Sequence, residues 1–153
     1  MLTPSCVVQV KLWFDSSALQ LVVTVSCAAG LTPRPDGAPR NPYAKLFLLP
    51  DRGEKSKRRT KTLANTVEPK WNQSFVYSAI RRADLKLRVL EITVWDYVRY
   101  GANDFLGEVR RNIRHTFTLT ALGVLAGTRP PRFFLQISIN YVLISDRKLK
   151  IFN

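Results

Sequence analysis

The chain has 153 residues, 46% hydrophobic and 23% charged, enough for one globular domain around a single apolar core. No stretch approaches the roughly 18 uncharged apolar residues of a membrane helix, and no basic flank followed by an apolar run marks a secretory leader, so the sequence reads as soluble and not secreted. Lys and Arg total 24 against 11 Asp and Glu, a formal net charge of +13 that points to an anionic partner, either nucleic acid or an acidic membrane surface.

Period-two alternation dominates the first 109 residues. Val8, Val10, Leu12 and Phe14 alternate with Gln9, Lys11 and Trp13. After a turn at Ser16 and Ser17, Leu19, Leu21, Val23, Val25 and Cys27 alternate with Gln20, Thr24 and Ser26, which predicts two antiparallel strands. The segment Gly30 to Pro42 holds four prolines and two glycines, so it is a long loop at one end of a sheet. A third strand, Tyr43 to Leu49, stops at Pro50, where Pro50, Asp51, Arg52 and Gly53 favour a tight turn. Further strands are predicted over Arg58 to Leu63, Trp71 to Val76 and Leu87 to Asp96, with a weakly helical link from Ala79 to Leu85. Short strands separated by turns, with no helix long enough for a crossover, argue for an all-β antiparallel sandwich.

Charge is distributed unevenly along these elements. Residues 1–44 are net +1, residues 45–90 carry twelve basic and four acidic groups for a net +8, residues 91–109 are net −3 and residues 110–153 net +7. Cys6 and Cys27 offer no disulfide framework and read as buried free thiols in a reducing compartment. His115 is the only histidine, so a zinc site or a nucleophile and base pair would have to be built around that one residue. No catalytic constellation and no phosphate-cradling glycine loop is recognisable, and no enzyme is expected.

Four motifs in fixed order carry a family resemblance. They are Asn41, Pro42, Tyr43, Ala44, Lys45 through Pro50, Asp51; Lys57 to Thr62; Glu68, Pro69, Lys70, Trp71, Asn72; and Val94, Trp95, Asp96 followed by Asn103, Asp104, Phe105, Leu106, Gly107, Glu108. Together they resemble the C2 domain family and, within it, the first C2 domain of the RIM active-zone scaffolds. Lys11 to Asp15 and the loop from Asp36 to Tyr43 add to the latter likeness. The resemblance implies an antiparallel C2 sandwich of synaptotagmin-like topology over residues 1–109, incomplete at its C-terminal end. Residues 110–153 do not match; they read as a divergent basic tail, disordered or a gene-model artefact. Phe133 to Ile139 could stand in for the eighth strand, but the expectation is that this strand is missing and the sandwich stays open at an edge.

Calcium-dependent members of the family hold the ion between two end loops with about five aspartates, since a hard divalent cation takes six to eight oxygens. Those positions fall here on Pro35, with Asp36 one place off, and on Asn41, Asp96, Val98 and Asp104. Pro35 and Val98 supply no side-chain oxygen, so neither calcium nor any other cofactor is expected. Asp96 and Asp104 read instead as loop carboxylates that accept backbone N–H bonds.

The basic block then has to explain function. Tyr43 and Lys45 share one face of the third strand, Arg59 and Lys61 share a face of the fourth, and Trp95 lies opposite the core-facing Leu90, Ile92 and Val94. Tyr43, Lys45, Arg59, Lys61, Trp95 and Asn103 resemble the lysine-rich cluster with which protein kinase C type C2 domains hold phosphatidylinositol bisphosphate. Lys55, Lys57 and Arg58 would widen the field. Lysine and arginine on an edge strand also serve simply to block edge pairing. The resemblance implies a cytoplasmic, calcium-independent adaptor peripheral to the presynaptic plasma membrane. It would bind acidic phospholipid and active-zone proteins, with calcium channels and Rab small GTPases as partners of the full-length protein, in synaptic vesicle exocytosis. The alternatives are a purely protein-docking domain or a nucleic-acid binder, the latter favoured by charge alone and lacking any RNA-binding signature.

Overall fold

Alternating apolar residues set β1 (Val7–Asp15) against β2 (Gln20–Ala29) as an antiparallel hairpin in the computed structural model, which describes residues 6–114 and the backbone of 134–142. Asp15 Oδ1 closes the turn by accepting the N–H groups of Ser17 and Ala18 at 2.9 and 3.1 Å. The register slips between Gln9 and Val10, so Ser26 becomes the extra residue of a bulge. That slip inverts the alternation expected through Cys27. Ala28 turns into the core, and Cys27 stands opposite Gln9 with its thiol 3.7 Å from Gln9 Oε1. Both thiols are free and half-buried, not fully buried as expected, and burial pushes the Cys6 thiol up to about 11.

β3 (Pro42–Leu49) lies between β6 (Val89–Asp96) and the two-residue β4 (Arg58–Arg59). The expected strand from Arg58 to Leu63 is regular only at its start. Beyond it the chain still donates Thr60 N–H to Ala44 O and Leu63 N–H to Pro42 O, while Thr60 Oγ1 accepts Ala44 N–H at 2.8 Å. β5 (Lys70–Tyr77) pairs with β2, α1 (Arg82–Leu85) is a single turn, and β7 (Asp104–Asn112) covers the outer edge of β6. With β8 (Phe134–Val142) as the last strand, the two antiparallel sheets run β5-β2-β1-β8 and β4-β3-β6-β7. Val8, Val10, Leu12, Leu21, Val23 and Val25 from one sheet and Ala44, Leu46, Leu90, Ile92 and Val94 from the other are at most 1% exposed and form the core. Burying each of the larger of these side chains stabilises the fold by about 1.5–3 kcal/mol.

The C-terminal expectations are corrected at two points. β7 runs three residues past Val109, and Ile113, 1% exposed, joins the core. The eighth strand is present as β8 (Phe134–Val142), antiparallel to the whole of β1 from Val7↔Val142 to Asp15↔Phe134. Leu135, Ile137, Ile139 and Tyr141 stand in register with the core residues Phe14, Leu12, Val10 and Val8, so β1 is not an open edge. The alternation is in the sequence, but apolar residues on both flanks, Phe133, Phe134, Val142, Leu143 and Ile144, obscure it. Residues 115–133 and 143–153, including His115, lie outside the described residues, and so does the reading of a disordered or artefactual tail.

Candidate functional site

The β3–β6–β7 register builds the basic face. Tyr43 pairs with Trp95, Lys45 with both Thr93 and Arg59, and Trp95 with Phe105. The Phe105 ring meets Trp95 edge-on, centroids 5.4 Å apart at 73°, and Trp95 Nε1 donates to Thr93 Oγ1 at 2.9 Å, which fixes the indole orientation. Lys45 Nζ lies 4.6 Å from the Trp95 ring centroid, and the Arg59 guanidinium lies 3.8 Å over the Tyr43 ring. Tyr43, placed by its strand on the outer face, is therefore covered and only 1% exposed. Its hydroxyl accepts Asn103 Nδ2 at 2.8 Å, while Asn103 Oδ1 accepts the Val98 N–H at 2.9 Å.

Burial first, and then the like charges of Lys57 and Arg59, hold the Lys45 ammonium below the ordinary lysine range. Neither Lys45, Arg59 nor Lys61 forms an ion pair among the described residues, and Lys57 has a 3.4 Å contact with the exposed Glu54. Five of the expected residues thus converge: Tyr43, Lys45, Arg59, Trp95 and Asn103, with Lys57 near enough to act on Lys45. Lys61 follows beyond the end of β4, its backbone N–H donated to Gln73 Oε1. Arg58 does not join them. It pairs with the core-facing Leu46, donates to the carbonyls of Lys55, Lys57 and Val76 at 2.6, 2.9 and 2.9 Å, and stacks 4.4 Å over Tyr77.

The end loops hold a second cluster, which the sequence reading missed. Asp96 is 0% exposed. Its Oδ2 accepts Arg34 Nε at 2.8 Å and Arg40 Nη1 at 3.3 Å; its Oδ1 accepts Arg34 Nη2 at 3.0 Å and the Asn41 N–H at 2.7 Å. Arg40 also bridges to Asp104 at 3.1 Å and donates to the carbonyls of Thr32 and Pro33. Asn41 is occupied in tying loops together, with Oδ1 accepting the Asn65 N–H and Nδ2 donating to Tyr97 O. Asp36 caps its own turn through the Ala38 N–H. These residues do not fit calcium: two guanidiniums, together carrying the charge of one divalent cation, take up the Asp96 carboxylate. Among the described residues no group of three or more His, Cys, Asp or Glu is placed to hold a metal ion. Arg34 and Arg40 are the only basic residues between Gly30 and Pro42, and cations in a loop that C2 relatives use to hold a cation were the available signal.

Burial alone would raise the Asp96 carboxyl, but the hydrogen bonds from Arg34, the Asn41 N–H and Arg40 outweigh it and hold it below the ordinary aspartate range. The depressed value means that Asp96 contributes stability above the unfolded-chain pKa and loses it as pH falls through the folded value. Thermal melts stepped down from pH 6 should therefore show a falling midpoint below about pH 4. The Asp96→Asn variant starts lower and falls less over that interval; equal slopes would remove Asp96 from the acid response.

A third ion cluster absorbs part of the C-terminal charge. Glu91, 3% exposed, accepts both Arg52 Nη atoms at 2.9 and 3.1 Å and Arg110 Nη2 at 2.7 Å. Arg110 is thus a structural member of β7.

The two four-stranded antiparallel sheets and their end loops define a C2-type sandwich, and the comparisons agree. The C2 domain family pattern matches residues 19–124, and the chain belongs to that family. It is 55% identical over 104 residues to Regulating synaptic membrane exocytosis protein 2 of Rattus norvegicus, covering 67% of this chain and 7% of that protein. It is 46% identical over 101 residues to the Rab-3-interacting molecule unc-10 of Caenorhabditis elegans, covering 66% of this chain and 6% of that protein. The crystal structure of C2 domain A of RIM from Drosophila superposes with TM-score 0.76 at 51% identity, covering 92% of this chain and 98% of that one. C2 domain A of RIM2 follows with TM-score 0.71 at 42% identity over 91% and 97% of the two chains. The chain is close to these RIM domains and spans about 7% of the length of the full-length relatives.

Proposed function

We propose that this domain is a calcium-independent, non-catalytic adaptor of a presynaptic exocytosis scaffold, whose β3–β4–β6 face takes the phosphorylated headgroup of phosphatidylinositol bisphosphate on an acidic membrane. One observation carries the reading: Lys45 and Arg59 are held over the Trp95 and Tyr43 rings with no carboxylate paired to either among the described residues, and burial first, then the like charges of Lys57 and Arg59, depresses Lys45. An anion seated between them relieves that repulsion. The Trp95 and Tyr43 rings orient two of the cations, and guanidinium and ammonium both suit a multiply charged phosphate. The Arg34 and Arg40 contacts to Asp96 support the absence of a calcium requirement. The exocytosis setting rests on the names of the relatives, and active-zone proteins, calcium channels and Rab GTPases are proposed as partners of a longer protein. Among the described residues no helix is long and apolar enough to cross a membrane, and the contact proposed for this domain is made through its basic face.

Liposome co-sedimentation of the full chain tests this. Vesicles containing phosphatidylinositol bisphosphate should pellet the protein equally in calcium and in chelator, with less bound as salt rises, and neutral vesicles should leave it in solution. Binding that needs calcium overturns the reading of the end loops. Equal binding to neutral vesicles overturns the basic face, and a preference for DNA replaces the lipid with nucleic acid.

A further inference from the structure

At the end of β3 remote from Asp96, a cavity of about 220 Å³ opens between the β3–β4 turn, the end of β5 and the segment leading into β6. Its floor is apolar and fixed: Leu48, Tyr77 and Ile80 are 2%, 4% and 6% exposed. Its polar lining includes Lys55, Arg58 and Arg88, against one carboxylate, Asp51, whose Oδ1 is already engaged by the Gly53 N–H at 2.7 Å. None of the three cations is ion-paired among the described residues. Arg88 acts electrostatically on Asp84, but that carboxylate is bonded to Arg81 at 3.1 Å.

Arg58 is the preorganised member. Three of its N–H donors go to neutral carbonyls and its plane lies on the Tyr77 ring, so it is rigid while its charge stays uncompensated. A guanidinium has five N–H donors, so two remain for a ligand. The Tyr77 hydroxyl, which donates to Ser56 O at 2.9 Å, locks that ring in turn.

We propose that this cavity is a second anion site, separate from the Lys45 face, and that it binds a phosphomonoester carried on a small polyol. Three cations and one carboxylate leave a net charge of +2 at the lining, which matches the charge of about −1.5 to −2 on a phosphomonoester at pH 7. The volume lies below the roughly 300–1,000 Å³ of pockets for drug-sized ligands, and it suits a phosphoryl group with one small ring. Free sugar phosphates and lipid headgroups share that chemistry.

Amide chemical-shift titration of the full chain with inositol 1-phosphate, alongside sedimentation with vesicles containing phosphatidylinositol 4-phosphate, separates the two sources. Saturable shifts are expected at Lys55, Ser78 and Ala79, and Lys55→Gln with Arg88→Gln should weaken the soluble ligand about tenfold. Lys55 is exposed, so Lys55→Gln alone gives a folded variant with a smaller loss if the pair is unstable. Loss on the soluble ligand only assigns the site to a free phosphomonoester, and loss on both extends it to the headgroup. Shifts confined to Lys45, Trp95 and Asn103, or affinity unchanged in both variants, overturn the second site whatever the Lys45 face does with membranes.

Discussion

Replacing Arg34 and Arg40 together by alanine should destabilise the domain strongly, because it strips both guanidiniums from the Asp96 carboxylate and leaves it the Asn41 N–H for compensation. The melting midpoint should fall by about 10 °C or more. The same loss should shrink when the charge is removed from both sides. A triple variant with Arg34→Met, Arg40→Met and Asp96→Asn keeps much of the volume and leaves no uncompensated ion, so its cost should be far below the sum of its parts. Millimolar calcium should leave the midpoint of the unaltered chain where it is, since both Asp96 oxygens are already hydrogen-bonded by guanidiniums and a backbone N–H. A calcium-induced rise in the unaltered chain, or a double arginine variant as stable as its parent, would show that the arginines do not hold the loops together.

Those arginines also show where the sequence stopped being legible. Strand positions and the core faces of β1, β3 and β6 followed from period-two alternation, because one buried face imposes that pattern directly. Tyr43, Lys45, Arg59 and Trp95 could be placed together because strand parity fixes which face a residue takes, and that parity survives folding. Parity failed where the chain departs from ideal pairing. The slip beside Val10 moved Cys27 off the core, and β4 ends after two residues, so no strand ladder carries the face of Arg59 on to Lys61. Loop contacts across more than fifty residues, such as Arg40 to Asp96 and Asp104, have no period at all and need three dimensions. β8 was obscured for another reason: flanking apolar residues hid its alternation, and its pairing with β1 is the most distant in sequence among the described strands.

On the basic face, Lys45→Gln with Arg59→Gln should raise the Kd for vesicles containing phosphatidylinositol bisphosphate about 30-fold. Each cation near an anionic leaflet contributes on the order of 1 kcal/mol, and two together give about that factor. The pair should also flatten the salt dependence of what binding remains. Stability should fall only modestly, because the aliphatic part of glutamine still covers part of Tyr43 and the two cation–ring contacts, about 0.5–1 kcal/mol each, are what is lost. Trp95→Leu separates orientation from charge. It keeps both cations but removes the ring under Lys45 and the edge contact with Phe105, so affinity should fall while the salt dependence stays as steep as in the parent. If the double glutamine variant binds those vesicles as tightly as the parent, the lipid contact lies elsewhere, and the closely held charges of Lys45, Lys57 and Arg59 must be matched by an acidic protein surface instead.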